Sequence, residues 1–199
     1  MSRTLTHTEH EKLRETNDKA MFGLWIYLMT DLMLFASLFA TYVVLRNNTA
    51  SGPTEHEIFS LPFVFVETML LLASSFVTGL AVLAFRRGVR LHGLILLGLT
   101  FLFGAGFLAM ELYEFNHLIH EGHSWQASAF LSAFFALIGT HGLHILFGLL
   151  WLSVLVVLIV RRGFTPKTER GLSLFALFWH FLDIVWIFIF TIVYLMGVL

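Results

Sequence analysis

His141 and His144 stand three residues apart in a stretch of 33 residues, Ser128 to Val160, that contains no Lys, Arg, Asp or Glu. Six further ionisable side chains lie in or beside other long apolar runs: Asp31, Glu67, Glu111, Glu114, His180 and Asp183. Acids and imidazoles bind metals, ligate haem and relay protons, so their spacing decides which chemistry is open. A carboxylate–histidine metal site in a helix bundle needs a Glu-x-x-His unit on each of two helices and two further Glu. Glu114-Phe115-Asn116-His117 is one such unit, and the chain has no second. A haem needs an axial His facing an open pocket; His141, His144 and His180 qualify by type alone. Two other roles fit the same residues, proton relay by the carboxylates and hydrogen bonding between helices. The absence of cysteine rules out disulfides, thiolate metal sites and iron–sulfur clusters.

The elements that must hold these groups are long and apolar. Of 199 residues, 58% are hydrophobic and 22 are Phe, and mean hydropathy is +0.83, too apolar for a water-soluble domain of this size. Five runs are each long enough to cross a bilayer as a helix: 21–45, 61–85, 91–113, 128–160 and 172–199. None alternates as a barrel strand would, so the expected class is an all-α membrane protein of five transmembrane helices. Residues 1–20 are polar, of mixed charge, and lack the apolar core and cleavage site of a signal peptide; they are expected to remain as a cytoplasmic tail, part helical and part disordered. Between the runs, Ser51-Gly52-Pro53 signals a turn, Arg86-Arg87-Gly88 a tight hairpin, and Pro166 falls in the last loop. The fourth run carries Ser128, Ser132, Ala136, Thr140, His144 and Gly148 at intervals of four, a small and polar face on which other helices are expected to pack, with this run as hub.

Orientation follows from Lys and Arg, which accumulate in cytoplasmic segments. Of the twelve, only Arg46 lies on the side opposite the tail, the 86–90 turn and the 161–170 loop. The N-terminus is therefore expected in the cytoplasm and the C-terminus outside. At 1.5 Å per residue, Asp31, His180 and Asp183 lie about 15–20 Å from the cytoplasmic boundary. Glu67 and Glu111 lie about 28–32 Å up, and His141 and His144 about 25–30 Å. Two clusters are expected: a middle one of Asp31, His180 and Asp183, and an outer one of Glu67, Glu111, Glu114, His141 and His144. Along the last run, Ser173, Ala176, His180, Asp183, Ile187, Thr191 and Tyr194 share a face flanked by Trp179 and Trp186. Net charge near zero argues against a nucleic-acid partner.

Gly139-Thr140-His141-Gly142-Leu143-His144, followed by Trp179-His180-Phe181-Leu182-Asp183-Ile184-Val185-Trp186, resembles the paired signature of subunit III of the haem–copper respiratory oxidases. The stretches from Phe22 to Asp31, Leu61 to Thr68 and Phe103 to Phe115 are most similar to subunit III of the bacterial cytochrome bo ubiquinol oxidases, and the resemblance extends from Phe22 to Leu199. It implies a bacterial cytoplasmic (inner) membrane complex that oxidises ubiquinol, reduces dioxygen to water and pumps protons. It also implies that haems, copper and quinol chemistry reside on subunit I, that subunit III carries no redox centre, and that it packs beside subunit I with subunits II and IV and contacts phospholipid. Asp31, Glu67, Glu111, His141, His144, His180 and Asp183 match the family's intramembrane polar positions, for which the resemblance implies packing, lipid contact and upkeep of proton uptake. Cytochrome c oxidase members generally have seven helices; the pair missing here forms one wall of a lipid-holding cleft, and the five-helix length suits the quinol-oxidising branch.

The expected function is a non-catalytic subunit that stabilises subunit I and supports proton uptake. The rival is a stand-alone proton or ion transporter using the same acids and histidines, against which stands the lack of any inverted repeat.

Overall fold

Five helices cross the molecule, and all five are long and apolar enough to span a membrane. The computed structural model describes residues 7–46, 61–120, 126 and 128–198. Helix α1 is His7–Leu45, α2 Leu61–Arg86, α3 Arg90–His120, α4 Ala129–Arg162 and α5 Pro166–Ile189; a π-helical segment, Phe190–Leu195, continues α5 and leads into a last turn, Met196–Val198. The expected turn at Ser51-Gly52-Pro53 lies outside the described residues.

Local chemistry sets the helix ends. Between α2 and α3 the chain reverses at Gly88, whose φ of 79° is left-handed backbone that glycine adopts without steric cost. Ser128 caps α4, its Oγ accepting from Leu131 N at 3.1 Å. Gly163, also left-handed, closes that helix by donating to Ile159 O at 2.9 Å. Immediately after it, Thr165 and Thr168 form a reciprocal capping box with Pro166 in the first turn of α5. A proline that reads as loop from sequence is thus a helix start, because the first turn needs no N–H at that position.

Other boundaries also differ from the hydropathy pattern, which sees only apolar residues. Helix α1 reaches back to His7 through the polar tail, where Lys19 pairs with Glu15 one turn away at 3.4 Å. Helix α3 continues seven residues past Tyr113 to His120, since Glu114 and Leu118 turn inward and are buried.

Helices α2 and α3 form the most extensive pair; α4 packs on α1, α3 and α5, and α5 packs on α4, α2 and, more lightly, α1. Helices α1 and α5 run in the same direction and are tied at both ends: Arg170 donates to Asn17 Oδ1 at 3.3 Å, and Arg46 to the Met196 carbonyl at 3.4 Å. Helix α4 does touch three neighbours, but the small-residue stripe reaches them only at its end near His144 and Gly148. Ser132 and Ala136 are exposed, and Thr140 turns its hydroxyl back on the Ala136 carbonyl at 2.6 Å. The inward face instead reads Phe130, Phe134, Leu137, His141, Ile145 and Leu152. With apolar residues on every side, α4 is oriented by shape, and its larger side chains fill the core. On α5 the core face likewise belongs to Trp179 and Trp186, both almost fully buried, with the polar stripe at its margin.

Candidate functional site

Each intramembrane acid and imidazole sits on a helix, and the helices sort them into three places. The first joins α1 and α4. His144 Nε2 lies 3.3 Å from Asp31 Oδ2, within ion-pair distance though without hydrogen-bond alignment, while its Nδ1 lies 2.7 Å from the Thr140 carbonyl. A backbone acceptor at Nδ1 fixes the ring so that Nε2 faces the acid. Asp31 is therefore the partner of His144, and the expected middle cluster of Asp31, His180 and Asp183 is divided between two sites.

The second place is the core end shared by α2, α3 and α4. Glu67, Glu111 and Glu114 are buried within electrostatic reach of one another. Neither oxygen of Glu67 or Glu111 has a hydrogen-bond partner. Glu114 Oε2 accepts from the Tyr194 hydroxyl at 3.1 Å, so the π-helical segment is bonded to α3. Gly142 leaves room for Glu111: a Cβ there would sit 2.6 Å from its Oε1. His141 is fully buried with neither ring nitrogen bonded; its ring stacks on Trp186 at 5.2 Å and meets the Phe107 ring edge-on at 5.9 Å. This histidine is held by aromatic packing.

The third place lies between α2 and α5, where Ser75 Oγ and His180 Nδ1 approach to 2.6 Å and Asp183 lines the same groove. Neighbouring bonds between these helices run from Trp179 Nε1 to Ser74 Oγ and from Trp186 Nε1 to Thr68 Oγ1, each 3.0 Å. Thr78 and Thr100 approach to 3.2 Å between α2 and α3.

Thr68, Ser74, Ser75, Thr78, Thr100 and Tyr194 thus carry more of the interhelical bonding than the acids do. Sequence reasoning placed Ser74, Thr78 and Tyr194 on polar faces but did not single out Thr68, Ser75 or Thr100 by spacing, because single hydroxyls are ordinary in membrane helices. The usable signals are the spacing of Glu67, Leu71, Ser74 and Thr78 at intervals of three and four, all buried, and the face of the last run that ends at Tyr194. The Glu114-x-x-His117 unit does not converge: Glu114 points inward, while His117 is exposed and stacks on Tyr113 at 6.3 Å. Among the described residues, no three His, Asp or Glu side chains come together as a metal ion would require.

Fold and site define a multi-pass membrane protein whose buried polar groups join helix to helix. The model of the cytochrome c oxidase subunit III family matches residues 4–198, and the chain belongs to that family. It is 54% identical over 185 residues to the cytochrome bo(3) ubiquinol oxidase subunit 3 of Pseudomonas putida, covering 93% of this chain and 89% of that one. It is 44% identical to the quinol oxidase subunit 3 of Bacillus subtilis, covering 97% and 98%. A cytochrome c oxidase subunit 3 from Bacillus sp. (strain PS3) is 47% identical over 175 residues, 88% of this chain and 84% of that one. That last chain is of similar length, so length alone does not separate the quinol branch from the cytochrome c branch. Membership makes the chain one component of a multi-subunit oxidase, and subunits of this type carry no redox cofactor of their own.

Proposed function

We propose that the chain is the non-catalytic subunit III of a proton-pumping ubiquinol oxidase in a bacterial inner membrane. It packs beside the subunit that bears haem and copper, together with subunits II and IV, and shields that core from lipid. Its N-terminus faces the cytoplasm, as the Lys and Arg distribution requires, and its basic turns meet anionic headgroups there. The observation that carries the reading is the 54% identity over nearly the whole chain to a bo(3) ubiquinol oxidase subunit 3. The geometry supports it. The hydroxyls and indoles bond helix to helix, Asp31 meets His144, and His141 is enclosed by aromatic rings rather than aimed at an open pocket. The comparisons lend no support to a stand-alone transporter.

Purification of the tagged chain in mild detergent tests this. The expected result is co-purification of haem-bearing subunits with quinol-dependent oxygen consumption, and no Soret band from the chain once separated. Proton flux through the chain alone in liposomes, or a stoichiometric haem on it, would overturn the reading.

A further inference from the structure

From Thr68 to Met110 the chain carries no Asp or Glu, yet the turn within that stretch holds Arg86, Arg87, Arg90 and His92. These cations do not share one surface. Arg90 leans toward the α4–α5 turn, its Nη1 3.4 Å from where a Cβ on Gly163 would sit. Arg87 and His92 are exposed and line a separate groove of about 400 Å³ on the open face of the α2–α3 hairpin. No carboxylate lines that groove, and its remaining walls are aliphatic.

Helix periodicity builds both walls. Leu80, Leu83, Ala84 and Arg87 stand at i, i+3, i+4 and i+7, one face of α2 and of the turn that ends it. Val89, His92 and Leu96 step by three and four into α3. Leu80 lies seven residues before Arg87, so the groove runs about 10 Å from the membrane boundary into the hydrocarbon. Cations sit at its mouth and leucines beneath, with Ala84 leaving the space between them open. Phosphate and acyl chain follow the same order in a phospholipid of that leaflet. An arginine fork matches a phosphate with two parallel N–H donors, and an imidazole N–H adds a third. A free phosphate would leave the aliphatic walls without a partner, and the ammonium of a zwitterionic headgroup would meet no carboxylate.

We propose that the groove on the α2–α3 hairpin seats one anionic phospholipid, its phosphate held between Arg87 and His92 and an acyl chain lying along Leu80, Leu83 and Leu96. The inference rests on the cytoplasmic placement of this turn and specifies which lipid the turn holds and by which residues. General attraction of a basic surface to an anionic leaflet acts through net charge and is screened within a Debye length. A seat depends instead on where each cation stands and on the space beneath it.

The assembled oxidase in phosphatidylcholine nanodiscs, doped with phosphatidylglycerol that carries a diazirine in its acyl chain, reads the seat directly. Illumination is expected to join this probe to the α2–α3 hairpin peptide, identified by mass spectrometry. A phosphatidylcholine probe with the same chain should label that peptide far more weakly. Arg87→Gln combined with His92→Gln should lower labelling by phosphatidylglycerol about tenfold. Both side chains are exposed, so membrane levels of the chain should stay unchanged. Arg86→Gln removes an exposed charge from the same turn but outside the groove, and should keep the labelling. Ala84→Phe, which fills the groove and leaves every charge in place, should lower it as the double variant does. Equal labelling by the two probes, an equal loss in Arg86→Gln, or a hairpin that another subunit covers and no lipid reaches would overturn the seat while the chain remains an oxidase subunit. Nanodiscs offer the same lipids on both faces, so an inverted topology would change only the leaflet in which the seat lies. A preparation without a haem-bearing subunit would count against the oxidase reading instead.

Discussion

Glu67 is fully buried on α2, yet neither of its carboxyl oxygens meets a donor, and the same holds for Glu111 on α3. Such residues stand out in any apolar run, which is why the acids and imidazoles were legible by type. Their partners were not. Asp31 meets His144 of α4 rather than His180 or Asp183, at a distance set by how α1 leans on α4 and by no spacing along the chain. Tyr194 reaches Glu114 through a π-helical segment that the sequence pattern does not announce. If Glu67 serves packing, what matters is its volume and shape. Glu67→Gln should then leave quinol-dependent oxygen consumption and proton ejection of the assembled oxidase at wild-type levels, whereas Glu67→Ala, which leaves a cavity, should lower the yield of complex. Pumping that falls in Glu67→Gln while subunit stoichiometry holds would instead make this acid part of the proton supply.

At the scale of the elements, one indole organises the middle of the bundle. Trp179 of α5 donates to Ser74 of α2 and lies against two glycines on two other helices. A Cβ at Gly104 of α3 would come within 2.9 Å of its ring, and one at Gly148 of α4 within 2.7 Å. Neither helix can carry a methyl there unless the ring moves. Gly148→Ala is therefore expected to cost about 1–3 kcal/mol despite alanine's better helix propensity, read as a lower midpoint for thermal loss of the subunit from the complex. Gly23→Ala, where a Cβ would meet nothing within 4 Å, should be neutral or slightly stabilising. The stripe through Ser128, Ser132 and Ala136 contained Gly148 but assigned the whole face to packing; only the end near His144 and Gly148 lies against other helices. A four-residue interval drifts around a helix of 3.6 residues per turn, so a stripe over five turns cannot remain on one interface.

The molecule as a whole follows from two simple properties, apolar length and the placement of positive charge. Length was legible because each crossing exceeds what a bilayer requires; helix extents were not, because polar ends such as Glu114–His120 continue a helix that hydropathy abandons. Helix α3, at 31 residues, is about 45 Å long, enough to place its ends at opposite membrane surfaces, headgroups included. Helices α1 and α5 run the same way and are bonded at both ends, so an odd number of crossings separates the termini. Which end faces the cytoplasm is then decided by Lys and Arg, of which eleven in twelve fall on one side. Single cysteines at Val89, in the turn before α3, and at His120, at its far end, report this directly, since both positions are exposed. A membrane-impermeant maleimide applied to intact spheroplasts is expected to label position 120 and spare position 89, with the reverse in inverted vesicles. Labelling of position 89 from outside would invert the topology, and equal labelling of both from one side would mean that α3 does not cross.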